Sequence, residues 1–371
     1  MEVKKPLYSY AEIDLGALKH NYRYLCSLNC GKTPICVLKD DAYGHGIEKC
    51  AEALCEEGAK NFAVANLKEA AKLRQSGFYG DILVLGYIAD EDIPTAVTEG
   101  VTACLYSLSF AQKLNTEALK RGRSAKAHIA LNTGLNRLGF DCKSPRFEKN
   151  MTTLAKLEGL NICGAYTHYS SADEKDAESC RQQQGKFKEA LQIIKEAGIA
   201  PKLRHISNSA AAMWTNCEFE NAFRAGISLF GASPLPKGEN EDNLRPVMSF
   251  KAKVVNTLYV KKGSSIGYGK KFVAKKDMKV AVLCAGFAQG YFRNLSDRAC
   301  VFIKEQKAPS VGSICMDMMC IDISDIKGVK TGDEAELFGK EIKANDLCGL
   351  AATVCDELFC AVGRSVKRVY V

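Results

Sequence analysis

The chain has 371 residues, 47% of them hydrophobic and 25% charged, and its net charge of +8 is spread along the whole length. That length suits two domains, and cations with no basic tail or block exclude a dedicated nucleic-acid binder. The start, "MEVKKPLYSYAEIDL", has no apolar leader core, and no run approaches the ~20 apolar residues of a membrane helix, so a cytoplasmic protein with no membrane partner is expected.

The opening run "YSYAEIDL" precedes an alternating region that extends from residue 33 to about 235. Short apolar runs read as strands: "TPICVLK", "NFAVAN", "DILVLGY", "TACLYS", "AKAHIALNTG", "ICGAYTHYS", "KLRHISNS" and "AFRAGISLFG". Charged segments with helical spacing lie between them, such as "GIEKCAEALCEEGAK" and "QQQGKFKEALQIIKEAGI". The strands are nearly continuous in apolar character, as strands covered on both faces should be. Eight strands with helical crossovers predict a TIM-like (β/α)8 α/β barrel. A doubly wound open sheet is the rival, although no GxGxxG fingerprint opens the first crossover.

After "PLPKGENEDNLRP", which reads as a linker, the texture changes to β-rich runs parted by glycine turns. They are "VMSFKAKVVNTLYV", "KVAVLCAGFA", "RACVFI" and "SICMDMMCIDI". The expected division is a barrel over 12–241 and an all-β domain over 242–371, joined by 1–11. The cysteines number 17, form no CxxC pair and often lie in apolar runs. That pattern predicts buried thiols in a reducing compartment and no metal site.

In "CVLKDDAYGHG" a lysine, Lys39, follows an apolar run and precedes a sharp turn. A lysine there can be a strand end with its charge in water, or an amine nucleophile at the rim of the barrel. Other polar residues fall at the same, carboxyl ends of strands, where barrels place their chemistry. Asn132 and Arg137 follow strand five, His168 ends strand six, Asn208 and Ser209 end strand seven, and Gly226 is read in strand eight. "SNSAAA" offers a hydroxyl and backbone N–H groups at a helix start, which suits a phosphate but equally an ordinary N-cap.

Nine strings in order give the chain a resemblance to the bacterial alanine racemases, pyridoxal-phosphate enzymes of the barrel-plus-β-domain type. They are "AEIDLGALKHN", "LKDDAYGHG", "TGLNRLGF", "THYSSAD", "SNSAA", "RAGISLFG", "IGYGKKF", "GSICMD" and "VKRVYV". The resemblance implies pyridoxal 5'-phosphate as cofactor, joined to Lys39 as a Schiff base. It implies phosphate ligands at Tyr43, Ser209, Gly226 and Ile227, with Asn208 in the same loop. Arg224 resembles the arginine that faces the pyridine nitrogen. Arg137 resembles the one near the phenolic oxygen and the substrate carboxylate. His168 resembles the histidine linked to the catalytic tyrosine, and Tyr268 resembles that tyrosine. Met316 would offer a backbone N–H to the substrate carboxylate. A homodimer with shared sites is implied, because Tyr268 and Met316 reach the partner's cofactor in this family. Racemisation needs acid–base groups on opposite faces of the α-carbon. Lys39 and Tyr268 are the expected pair, and His168 and Arg224 the expected cationic neighbours of the phenol.

Four positions depart from the family. Ala130 stands where a carbamylated lysine braces the arginine, so Arg137 should need another anion, a bound chloride or a nearby carboxylate. Ser313 replaces an arginine and Phe287 a tyrosine at the substrate entrance. Asp356, in "TVCDELFC", replaces a tyrosine that touches both phosphate and substrate. An aspartate leaves space beside the substrate β-carbon and adds an acceptor. Racemisation of L- and D-alanine is therefore the first expectation. A serine racemase like those of vancomycin resistance, or a racemase for basic amino acids, is the alternative. A barrel-type amino-acid decarboxylase and a non-catalytic pyridoxal-phosphate carrier stand further off.

Overall fold

Eight short strands run parallel around a ring: Thr33–Val37, Asn61–Val64, Asp81–Val84, Thr102–Leu105, Ala125–Asn132, Leu160–Tyr166, Leu203–His205 and Ala222–Ala225. Each pairs with the next, and the eighth returns to the first, with Ala222 opposite Thr33 and Ala225 opposite Cys36. The sheet is closed, which decides for a barrel against an open doubly wound sheet. This computed structural model describes residues 8–236 and 241–371. Residues 1–7, at the start of the expected 1–11 segment, and 237–240 of the linker lie outside them.

The strands are buried because helices cover them, and several helices start on side-chain caps. Asn66 accepts from Glu69 N–H at the start of Leu67–Gln75, and Ser107 accepts from Phe110 N–H at the start of Leu108–Lys120. After the eighth strand only a short 3-10 turn follows, Ile227–Phe230. The helix Leu15–Leu28, which precedes the barrel in sequence, packs on that turn and between Ile47–Glu56 and Ser209–Trp214. It closes the outer layer where a helix after strand eight would lie. Gly226, read from the sequence as part of the eighth strand, falls just past its end.

The second domain is built on the long strand Met248–Val260. Ser9–Ile13 pairs with it antiparallel, and Lys367–Tyr370 pairs with Ser9–Ile13 in parallel. Glu334–Phe338 pairs with Phe250–Lys253 on the edge opposite Ser9–Ile13, and Met278–Leu283 pairs with the later stretch Val254–Val260. The domain is mostly β rather than all β. Helices Ala344–Ala351 and Cys355–Ser365 interrupt it, because Leu358, Phe359 and Val362 recur at helical spacing and are buried. One apolar core runs continuously from the barrel into this domain. A smaller cluster, including Val260, Ile266, Met278 and Val311, lies under the hairpin Ser265–Ile266/Phe272–Val273. Among the described residues no helix is long and apolar enough to cross a membrane.

Candidate active site

The site begins with an unusual turn. After Lys39, the residues Asp40, Asp41, Ala42 and Tyr43 all have positive φ, between 52° and 56°. Left-handed backbone costs an L-residue roughly 1–2 kcal/mol, and such strain gathers at functional sites. The turn brings Lys39 and Tyr43 into the lining of one cavity of about 670 Å³ at the carboxyl end of the barrel. The Lys39 Nζ lies 5.6 Å from the centroid of the Tyr43 ring.

One wall of the cavity is a cradle of small groups. Asn208 caps the helix Ser209–Trp214, its Oδ1 accepting from Ala211 N–H at 3.0 Å. Ser209 Oγ accepts from Gly226 N–H at 2.8 Å and from Ser228 N–H at 3.4 Å. A Cβ on Gly226 would lie 2.8 Å from the Tyr43 hydroxyl and 3.6 Å from Ser209 Oγ. Only glycine leaves room where these groups converge. Ile227 follows in the same lining.

Arg224 lines the same cavity and is 3% exposed. Its Nη1 donates to His205 Nδ1 at 2.6 Å, and its Nη2 donates to Thr167 O, Ile206 O and His168 Nδ1, each at 2.9 Å. Burial lowers the guanidinium to about 10, which still leaves it charged at neutral pH. Since the arginine only donates, both histidines accept at Nδ1 and carry their proton on Nε2. His205 passes that proton toward His128 Nδ1, 3.0 Å away. Burial first, and then the Arg224 charge, hold His168 and His205 well below the usual histidine range. This corrects one expectation: His168 is neutral and supplies no positive charge to a nearby phenol. Arg224 alone of that pair does.

Arg137 is exposed and lines the same cavity. Among the described residues it makes no ion pair or hydrogen bond. The carboxylate expected as a brace is not found among them. Ala130 is buried against Cys104 and Tyr166, and Cys104 Sγ lies 2.9 Å from the Tyr166 hydroxyl.

Asp356, in the first turn of Cys355–Ser365, also lines the cavity. Burial pushes its carboxyl up, against the pull of Lys39. The Tyr43 phenol is pushed up by burial and then by Asp356.

Tyr268 and Met316 do not line the cavity of their own chain. Tyr268 is 70% exposed in the turn Tyr268–Lys270, and Met316 is 57% exposed. Ser313 Oγ donates to Tyr268 O at 3.1 Å, and Phe287 N–H donates to Cys315 O at 3.1 Å. The departures Ser313 and Phe287 thus join Tyr268 and Met316 in one exposed patch. His205 was missed by sequence reasoning. Its signal was present, as a histidine inside the apolar run "KLRHISNS".

Fold and cavity together define an α/β-barrel enzyme whose amine stands at the active end of strand one. Residues 13–234 match the family model for the alanine racemase N-terminal domain, and 247–370 match that for its C-terminal domain. The alanine racemase of Clostridium tetani is 38% identical over 368 residues, covering 98% of this chain and 95% of that protein. Alanine racemase 2 of Caldanaerobacter subterraneus subsp. tengcongensis is 34% identical, covering 97% and 94%. Among solved structures, the alanine racemase of Clostridium difficile 630 superposes with a TM-score of 0.92 at 34% identity, covering 99% of this chain and 97% of that one. The alanine racemase of Bartonella henselae with covalently bound pyridoxal phosphate gives 0.90 at 26% identity, covering 99% and 100%. The chain belongs to the alanine racemase family, a family of isomerases.

Proposed function

We propose that the protein is a pyridoxal-phosphate-dependent racemase that interconverts L- and D-alanine. The observation that carries this is the convergence of Lys39, Tyr43, Ser209, Gly226 and Arg224 on one cavity. The donor set fits the cofactor. The hydroxyls of Tyr43 and Ser209 and the N–H of Ile227 suit a phosphate, with Gly226 N–H held on Ser209 Oγ beside them, in a space that a side chain on Gly226 would fill. When bound, the cofactor draws electrons from the α-carbon of an attached amino acid and so acidifies its proton.

The chain's residues do the rest. Lys39 would hold the cofactor covalently, and its amine would exchange the substrate's α-proton on one face. Tyr268 of the partner subunit serves the other face. Arg224, which keeps its proton, would face the ring nitrogen as a permanent donor. Neutral His168, its Nδ1 occupied by Arg224, presents Nε2–H toward the phenol. Arg137, with no protein anion among the described residues, takes the substrate carboxylate, helped by Met316 N–H of the partner subunit.

A homodimer is part of this reading. Tyr268, Phe287, Met316 and Met318 are exposed on one domain. Lys270, Lys271, Lys275 and Lys276 lie close by in sequence, while Asp173 lines the cavity mouth and Glu174 follows it. Opposite charges steer such surfaces together. All 17 cysteines are thiols, which supports a reducing cytoplasm. A division into a barrel over 12–241 and a β-domain over 242–371 with 1–11 belongs to the same proposal.

Two experiments test the reading. Purified protein given each L-amino acid, with chiral analysis of the product, should yield D-alanine; no D-product from any amino acid would sink it. Mixing inactive Lys39→Ala with inactive Tyr268→Phe chains should restore roughly a quarter of normal activity, since half the dimers are mixed and each has one intact site. No recovery after subunit exchange would remove the shared site.

Asp356 favours a second reading of the substrate. Its carboxyl beside Lys39 and Tyr43 leaves an acceptor for a serine hydroxyl. Asp356→Tyr should then lower serine turnover relative to alanine. A lost charge-assisted bond of about 1.5–3 kcal/mol is roughly a ten- to hundredfold change in that ratio. An unchanged ratio of kcat/KM values would show that Asp356 does not read the side chain. Turnover of lysine or ornithine instead of serine would show that it reads a cation.

A further inference from the structure

The left-handed turn after Lys39 is held from two directions. Glu69, on the helix after strand two, accepts from Asp40 N–H at 2.6 Å through Oε1 and from Ala65 N–H at 2.8 Å through Oε2. One carboxylate thus ties the peptide next to Lys39 to the end of the neighbouring barrel strand. Glu69 is the third residue of a helix capped by Asn66, where the usual capping-box partner would be the cap's own N–H. It reaches outward instead.

From the other side comes Arg368, on the last strand of the β-domain. Its Nη1 donates to Asp41 Oδ2 at 2.6 Å and to Gly44 O at 3.3 Å. Asp41 Oδ1 in turn accepts from Ile47 N–H at 3.1 Å. The Arg368 and Asp41 side chains are only 25% and 26% exposed, so solvent screens this pair weakly. The neighbouring Arg364–Asp40 pair is 63% and 43% exposed and contributes little. Backbone also presses on the turn: a Cβ on Gly363 would lie 2.0 Å from Gly44 O.

We propose that Glu69 and Arg368 are positioning residues that hold Asp40–Tyr43 left-handed and so aim the Lys39 amine and the Tyr43 hydroxyl into the cavity. The turn's own bonds, Ala42 N–H to Leu38 O at 2.9 Å and Gly44 N–H to Asp40 O at 3.0 Å, do not select its hand, since right-handed backbone makes the same pattern. The side-chain anchors do. Because Arg368 belongs to the β-domain, seating of that domain and the aim of the lysine are one event. The role of the aimed groups rests on the racemase reading; the anchoring itself does not.

The test uses the full chain, with and without pyridoxal phosphate, and reads amide hydrogen exchange residue by residue. Glu69→Ala and Arg368→Ala should each speed exchange across Asp40–Gly44 in the cofactor-free protein by roughly ten- to hundredfold, the equivalent of one charge-assisted bond. Exchange in the barrel strands should not change. Pyridoxal phosphate should bind each variant more weakly, kcat should fall more than KM changes, and Arg368→Lys should recover most of the protection. Wild-type exchange rates in the turn would overturn the proposal. So would a uniform rise over the whole chain, which would mean lost global stability only. A wild-type protein inactive on every amino acid, whose two variants still loosen this turn, would overturn the racemase reading and support the anchors.

Discussion

Borohydride reduction of the protein loaded with pyridoxal phosphate should fix the cofactor to a single peptide, at Lys39, and Lys39→Ala should lose both the visible absorbance and racemisation. The loss of rate should be at least the roughly 10²–10⁴-fold that one acid–base group supplies, because the covalent attachment disappears with it. The geometry gives the reason. Among the described residues Lys39 is the only lysine in the cavity lining, which it shares with Tyr43 and Arg224. A mass increment on any other lysine would reassign the site. Added methylamine offers a control. A small amine entering the space left by Lys39→Ala should restore some α-proton exchange, whereas an unfolded variant would not respond.

Tyr268→Phe should separate the two halves of the reaction. Cofactor should bind normally, since Tyr268 is not among the groups that would hold it, Lys39, Tyr43, Ser209, Ile227 and Arg224. Racemisation should fall roughly 10²–10⁴-fold. In deuterated water the face served by Lys39 should still exchange its proton. One enantiomer of alanine should therefore gain deuterium faster than it inverts. Near-normal rates in both directions would exclude Tyr268 as the second base. The neutral state of His168 sharpens this expectation. With Arg224 donating to its Nδ1 at 2.9 Å, the imidazole has only Nε2–H to offer the phenol. It can orient the phenolate by a hydrogen bond but adds no charge.

What the sequence alone determined was the order of the chemistry along the chain. Period and composition are local, so eight apolar runs with helical spacers were enough to read a barrel. Lys39, Arg137, His168, Asn208 and Ser209 fell at the strand ends because polar residues that close apolar runs stand out. The nine strings carried the family. The tertiary structure decided what depends on burial and on distant partners. The hand of the turn after Lys39 is invisible in "KDDAY", because one of its anchors, Arg368, lies 327 residues from Asp41. His168 looked like a cation until burial and Arg224 made it neutral. Arg137 was expected to find another anion in place of the missing lysine brace, but Ala130 packs against Cys104 and Tyr166 and no carboxylate meets the arginine among the described residues. The helix Leu15–Leu28 was not singled out in the sequence, yet it closes the barrel's outer layer. Helices in the β-domain were hidden because short apolar runs fit both periods, and only packing chose between them. Local pattern sets which groups are available; their charge, hand and aim are set by the low-dielectric surroundings and long-range contacts that form only when the chain is folded.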